Sequence, residues 1–287
     1  MESLQSKTIK VLLIVEGEDL EPGFFKQLTT VYGVNMDIYI VGTNIYALYT
    51  KMKEHDFLCN IKDVLPEVGK NLEGKEEILA GNFAYTYLIF DFDAHHKTPI
   101  ERTQNIEIDA IVQNNILKLS EMAEYFVDET DPSIGKLYIN YPMMESFRDC
   151  DAFFDPVYKD REISIDDLRK YKSIAGQRRL SGVALDHYSR DNFSDLTRLN
   201  VFKLNGIMAE CWGAPTYPEY LEMAECSKIL EAQTSKVNSE RKVSVLNTAL
   251  FVLLDYYGNQ RGFYDSIMAK ETSIGTTEQQ TKSLQEV

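Results

Sequence analysis

Acidic residues gather at the ends of three predicted strands. They are Glu16 and Glu21 after the segment IKVLLIV, Asp91 and Asp93 around the end of YTYLIF, and Glu145 after LYIN. Carboxylates that lie close together repel one another, and a hard divalent cation such as Mg²⁺ supplies the missing counter-charge. Bound Mg²⁺ activates water and neutralises charge on a phosphate. The pattern favours a metal site for phosphodiester cleavage, although polar loops also place acids after strands.

The apolar segments predict the elements that position these acids. Strands are expected at Ile9–Val15, Asp37–Val41, Tyr85–Phe90 and Leu137–Asn140, and helices at Phe24–Thr30, Ile45–Leu65 and Ile106–Phe126. Strands that alternate with helices are typical of βαβ crossovers. The fold class is therefore predicted as α/β, with a mostly parallel four-stranded sheet flanked by helices. The carboxyl ends of its strands, where the acids fall, form one edge.

The pattern changes after about residue 150, where strand signals fade. Helical segments are expected at Ile165–Lys172, Phe193–Met208, Tyr217–Gln233 and Val243–Tyr257. The polar stretch at 271–287 offers little to bury. We therefore expect a catalytic domain at residues 1–150, a helical domain for substrate or partner binding at residues 151–270, and a flexible tail at 271–287.

The acidic motifs resemble those of the Toprim domain. The segment EGEDLEPGFF at residues 16–25 is similar to the start of RloB-like Toprim proteins, and FDFD at residues 90–93 is similar to the Toprim Asp-x-Asp motif. The segment NYPMME at residues 140–145 resembles their Asn-Pro-x-x-Glu motif with one inserted residue. The resemblance covers roughly Thr8–Arg148 and implies a Toprim fold. The chain's size and helical second half also resemble the Toprim subunit of ATPase–Toprim phage-defence systems of the PARIS type.

This resemblance implies roles for the acids. Glu16 would be a general acid/base or a metal ligand, and Asp91 and Asp93 would hold Mg²⁺. Glu21 and Glu145 would complete a second metal site or orient the first, so one or two ions are implied. All three of Glu16, Asp91 and Asp93 are then expected to be catalytic.

The implied function is a Mg²⁺-dependent endonuclease that cleaves RNA, such as tRNA, or DNA. It would be a toxic effector in anti-phage defence, restrained by an ABC-type ATPase partner. A second copy of the same chain, forming a homodimer, is a further candidate partner. The main rival is a non-catalytic Toprim scaffold or regulatory subunit that binds the ATPase. A primase-like nucleotidyltransferase is a third reading, and it would consume a nucleoside triphosphate without cleaving polymer.

The distribution of charge along the chain indicates which segment could bind a polyanion such as a nucleic acid. The net charge is −15, which argues against a general nucleic-acid coating protein. Residues 1–150 carry 13 basic and 25 acidic side chains, so most of this excess is expected to face a partner or lie away from substrate. Residues 168–205 instead carry eight basic and three acidic side chains. The predicted nucleic-acid contacts are Lys97, Arg169, Lys172, Arg178 and Arg179, and a solvated helix face is the alternative.

The remaining motifs are less specific. His95 and His96 could be transition-metal ligands or proton donors, but a solvent-exposed loop is the preferred interpretation. The chain has no secretory signal pattern and no apolar run of the ~20 residues that a membrane span needs. Its four cysteines form no Cys-x-x-Cys pair, and reduced thiols are expected. A cytoplasmic protein without membrane contact is therefore predicted.

Overall fold

A computed structural model describes residues 10–69, 75–104 and 106–269 of the chain. A five-stranded sheet with the order β2-β1-β3-β5-β4 lies at its centre. The strands are β1 (Lys10–Val15), β2 (Asn35–Ile40), β3 (Tyr85–Asp91), β4 (Val127–Asp128) and β5 (Gly135–Asn140). The first four in that spatial order are parallel, and β4 is antiparallel to β5. The predicted α/β class and mostly parallel sheet are confirmed.

Helices flank this sheet. They are α1 (Leu20–Tyr32), α2 (Ile45–Glu54), α3 (Ile61–Val68), α4 (Lys75–Leu79), α5 (Pro99–Thr103) and α6 (Ile108–Tyr125). The sheet's strands read as apolar runs because helices shield them; in β1, every residue from Val11 to Val15 is buried.

Two sequence expectations for this half were wrong in detail. The sheet has five strands rather than four, because the two-residue β4 is too short to leave an apolar signature. The helix expected at Ile45–Leu65 is two helices. The chain leaves α2 through Asp56 and Phe57, whose φ angles are 50° and 56°, and Asn60 then caps α3 by accepting the Lys62 N–H.

The second half is mainly helical. Its helices are α7 (Tyr171–Ala175), α8 (Arg190–Ala209), α9 (Tyr217–Met223), α10 (Cys226–Glu240), α11 (Val252–Tyr257) and α12 (Phe263–Met268). Its strands β6 (Glu162–Ser164) and β7 (Lys242–Ser244) form a separate antiparallel pair. Short 3₁₀ turns lie at Met144–Arg148, Pro156–Asp160, Ile165–Lys170, Arg179–Gly182, Leu185–His187, Ala249–Phe251 and Gln260–Gly262.

The helix expected at Val243–Tyr257 was only partly correct. The segment begins within β7 and becomes helical only from Ala249 onward. Tyr217–Gln233 is likewise split between α9 and α10. The tail expected at residues 271–287 lies outside the described residues. No helix within the described ranges is long and apolar enough to cross a membrane.

The two halves of the chain share one hydrophobic core. Asn140, at the end of β5, accepts hydrogen bonds through Oδ1 from the N–H groups of Thr248 (3.2 Å) and Ala249 (3.1 Å). Asn247 donates through Nδ2 to the Met144 carbonyl oxygen at 3.0 Å. These buried contacts fix the segment just after β5, which carries Glu145, against the C-terminal half.

Candidate active site

Three neighbouring parallel strands deliver acids to one edge of the sheet. Glu16 follows β1, Asp91 is the last residue of β3, and Glu145 lies in the 3₁₀ turn after β5. In space β3 lies between β1 and β5. The Asp91 N–H donates to Glu16 Oε2 at 3.3 Å, which ties the first two acids together. The acids at the ends of β1 and β3 are therefore in contact at the carboxyl edge, and Glu145 is near enough to raise the pKa of Asp91.

Glu21 reaches the same place from the first turn of α1. The Gly17 N–H donates to Glu21 Oε1 at 3.1 Å, so the side chain folds back over the end of β1. A Cβ atom at position 17 would lie only 2.4 Å from Glu21 Oε2. The glycine of the Glu-Gly motif thus leaves room for the second acid.

The acids perturb one another. Burial raises the pKa of Asp91 well above its usual range, and the charges of Glu16, Asp93, Glu21 and Glu145 raise it further. Burial also raises the pKa of Glu16 well above its usual range, with added repulsion from Asp93 and Glu21. The pKa values of Glu21 and Asp93 are raised as well, first by burial and then by Glu145. Five carboxyl groups therefore share one electrostatic environment.

The donor chemistry of this cluster fits Mg²⁺, which prefers carboxylate oxygens. A cation would also relieve the repulsion that raises these pKa values. However, within the described parts of the chain no three His, Cys, Asp or Glu side chains are arranged as a metal-binding group. Coordination of one ion by Glu16, Asp91 and Asp93 would therefore require their side chains to rotate towards a common point.

The loop after β3 has an unusual backbone and partly buries its two histidines. Asp93 has a φ angle of 29°, a conformation that non-glycine residues rarely adopt and that concentrates at functional sites. His96 stacks on Tyr46 with ring centres 5.8 Å apart. Both histidines are partly buried rather than solvent-exposed, so the preferred interpretation of an exposed loop was wrong.

His95 lies beside the acids as a neutral group. Burial lowers its pKa to about 4, and the positive charge of Arg169 contributes. His95 Nδ1 is 3.9 Å from Asp93 Oδ1 and finds no hydrogen-bond partner among the described residues. At neutral pH this ring carries no charge and offers a polar nitrogen next to the acidic cluster.

A basic cleft opens beside Asp93. Its volume is about 720 Å³, and both halves of the chain line it. The lining residues are Asp93, His95, His96, Lys97, Arg102, Met143, Arg169 and Lys172. Four cations around one acid make this a surface that favours phosphate groups. We call it the basic cleft below.

The structure separates the predicted nucleic-acid contacts into two groups. Lys97, Arg169 and Lys172 line the basic cleft. Lys172 Nζ lies 3.0 Å from Glu145 Oε1, whose side chain is only 6% exposed, so one cation already neutralises one acid of the cluster. Arg178 instead pairs through Nε with Oδ1 of the buried Asp149 at 3.0 Å, and Arg179 does not line the cleft.

Arg102 is a cleft residue that sequence reasoning missed. It lies in the short helix α5, and its Nε donates to the Lys97 carbonyl oxygen at 3.1 Å. The available signal was its position five residues after Lys97 in the segment that follows the Asp-x-Asp motif.

Comparison with protein-family models, with curated proteins and with solved structures found no match for the chain.

Proposed function

We propose that the chain is a Toprim-type, Mg²⁺-dependent nuclease that hydrolyses phosphodiester bonds in RNA or DNA. The observation that carries the proposal is the meeting of carboxylates from the ends of β1, β3 and β5 next to a basic cleft. Acids that can hold a cation and cations that can hold phosphates are the two components that metal-assisted phosphodiester hydrolysis needs. The resemblance of the EGEDLEPGFF and FDFD segments to Toprim motifs supports the same reading.

In this proposal each group has a defined task. Asp91 and Asp93 hold Mg²⁺, with Glu21 and Glu145 available for a second ion. Bound Mg²⁺ would supply activated water and charge neutralisation at the phosphate. Glu16 acts as general acid/base, since burial raises its pKa above the usual range of a glutamate and favours its protonated form. Its Oε2 accepts the Asp91 N–H, so Oε1 is the atom suited to carry the proton.

The biological setting proposed here follows from the resemblance to ATPase–Toprim defence systems. A nuclease of this kind would be toxic to its own cell, and an ABC-type ATPase partner would restrain it. RNA such as tRNA and DNA are both candidate substrates.

If the basic cleft binds nucleic acid, reversing a charge that lines it should weaken that binding. Replacing Arg169 with glutamate should weaken the affinity for single-stranded RNA or DNA by about tenfold and reduce its salt dependence, because one phosphate contact is lost and a repulsive charge is gained. Fluorescence anisotropy over a salt series measures both effects. Lys170→Glu is the matched control, because Lys170 is adjacent, pairs with Asp167 and does not line the cleft. Equal losses for both variants would show that the cleft is not the binding surface.

The activity itself is tested with purified protein. We expect cleavage of tRNA or of plasmid DNA with Mg²⁺, and complete loss of cleavage with EDTA. If neither polymer is cut with Mg²⁺ or Mn²⁺, the nuclease proposal fails. The non-catalytic scaffold would then be favoured, since Lys172 already neutralises Glu145. Consumption of a nucleoside triphosphate without polymer cleavage would favour the primase-like alternative.

A further inference from the structure

The loop between α2 and α3 presents a leucine to solvent. Leu58 is 89% exposed, and Val127 in β4 is 59% exposed. A single exposed apolar side chain is ordinary on a protein surface. Two further observations distinguish Leu58 from such ordinary residues: its loop is firmly held, and acidic side chains surround it.

The loop holds Leu58 in a fixed position. Asp56 and Phe57 are consecutive non-glycine residues with left-handed backbone angles, a costly conformation that persists only when its surroundings enforce it. The Phe57 ring packs between Tyr49 and Tyr125, with ring centres 6.0 Å and 5.1 Å away. The Tyr125 hydroxyl also donates to the Cys59 carbonyl oxygen at 3.2 Å. Leu58 is therefore displayed on an anchored loop, flanked on both sides by residues that contact the body of the protein.

Acidic side chains surround this leucine. The adjoining segments 51–67 and 121–131 carry three lysines and nine acids, a net charge of −6. We call these two segments together the Leu58 surface. Its lysines are already engaged, because Lys51 pairs with Glu54 at 2.8 Å, Lys53 pairs with Glu121 at 2.7 Å, and Lys62 donates to a backbone carbonyl. Seven of the nine acids are exposed to solvent, so most of the acidic excess is available to a partner.

The Leu58 surface lies at the opposite edge of the sheet from the acidic cluster. Helix α2 starts after the carboxyl end of β2 and runs back, so its C-terminal end reaches the amino edge. The Ile61 N–H confirms this placement by donating to the carbonyl oxygen of Ser133, just before β5 begins. A molecule bound at Leu58 would therefore leave the basic cleft open to substrate.

We propose that the Leu58 surface docks a partner protein that offers an apolar pocket for Leu58, rimmed by lysine or arginine side chains. The negative charge of the Leu58 surface is the reason for proposing a basic partner. A symmetric contact with a second copy would set nine acids against nine acids, and like charges across an interface oppose binding. Pairing of this surface with itself is therefore disfavoured, and the partner that we propose is a different chain with a basic face. This inference stands apart from the proposed nuclease activity, because it uses none of the residues of the acidic cluster or the basic cleft.

The test begins with a photo-crosslinking residue. p-Benzoylphenylalanine is placed at position 58 of the full chain in its native cell, and at Leu221, an exposed leucine on α9, as the matched control. The protein crosslinked at position 58 is identified and purified. Its affinity for wild type, Leu58→Asp, Leu58→Ala and Leu221→Asp is then measured by biolayer interferometry at low and high salt.

We expect a crosslink to a different protein from position 58 alone. Leu58→Asp should weaken the complex by at least about tenfold, Leu58→Ala less strongly, and Leu221→Asp not at all, because a central apolar anchor dominates such contacts. Affinity should fall at high salt. Thermal unfolding midpoints should match wild type, since the Leu58 side chain is 89% exposed. The proposal is overturned by the absence of a product specific to position 58, by a crosslink to a second copy, by equal losses at Leu58 and Leu221, or by an affinity indifferent to salt.

Discussion

Replacing Glu16 with glutamine is expected to lower Mg²⁺-dependent cleavage by about a hundredfold to ten-thousandfold, the usual contribution of a general acid or base. Glutamine keeps the shape of the side chain and can still accept the Asp91 N–H, so the fold should persist. It cannot take up or release a proton near neutral pH. The measurement is the initial rate of cleavage under saturating Mg²⁺, with thermal unfolding recorded for each variant.

The neighbouring glutamate provides the control for this experiment. Glu18 lies two residues further along the same loop but is exposed to solvent. Glu18→Gln makes the same substitution in the same loop but at an exposed side chain, so a rate close to wild type is expected. If Glu16→Gln cleaves as fast as Glu18→Gln, then Glu16 has no catalytic task and the site has been assigned to the wrong residues.

The sequence was a good guide to the sheet because the signals there are local. Continuous apolar runs such as residues 11–15 occur where a strand is covered on both faces, and the βαβ spacing then sets a parallel order. In a parallel sheet all carboxyl ends meet at one edge, so acids that follow β1, β3 and β5 had to converge. The approach of Glu16 to Asp91 could therefore be predicted without a structure.

Contacts between distant segments could not be predicted in this way. The strands β6 and β7 are three residues each and pair across about 80 positions, so neither leaves a local pattern. Arg178 looked like a phosphate ligand in a basic stretch, but its charge is directed at Asp149, 29 residues earlier in the chain. The burial of His95 depends on the cleft walls that both halves build. Sequence periodicity reports on local structure and cannot predict such pairings between distant residues.

Removing one carboxylate from the cluster should stabilise the metal-free protein. In EDTA at neutral pH, Asp91→Asn is expected to raise the unfolding midpoint by roughly 2–8 °C, which corresponds to about 1–2 kcal/mol in a chain of this size. Burial and four neighbouring acids make ionised Asp91 costly in the folded state, and asparagine carries no charge. Differential scanning fluorimetry measures the shift. Asp37→Asn is the control, since Asp37 pairs with Lys10 at 2.8 Å at the far side of the sheet and its loss should not stabilise.

Adding Mg²⁺ and lowering the pH should each reduce the cost in folding stability that ionised Asp91 imposes on the wild type. Because the folded-state pKa of Asp91 lies above its unfolded value, ionisation costs stability, and that cost begins to fall once the pH drops below the folded pKa and is gone at the unfolded pKa. The gap in midpoint between Asp91→Asn and wild type should therefore narrow from pH 8 towards about pH 5. Mg²⁺ at neutral pH should raise the wild-type midpoint and leave that of Asp91→Asn nearly unchanged. A gap that is constant with pH, or an equal response of both proteins to Mg²⁺, would mean that these carboxylates neither repel one another nor share a cation.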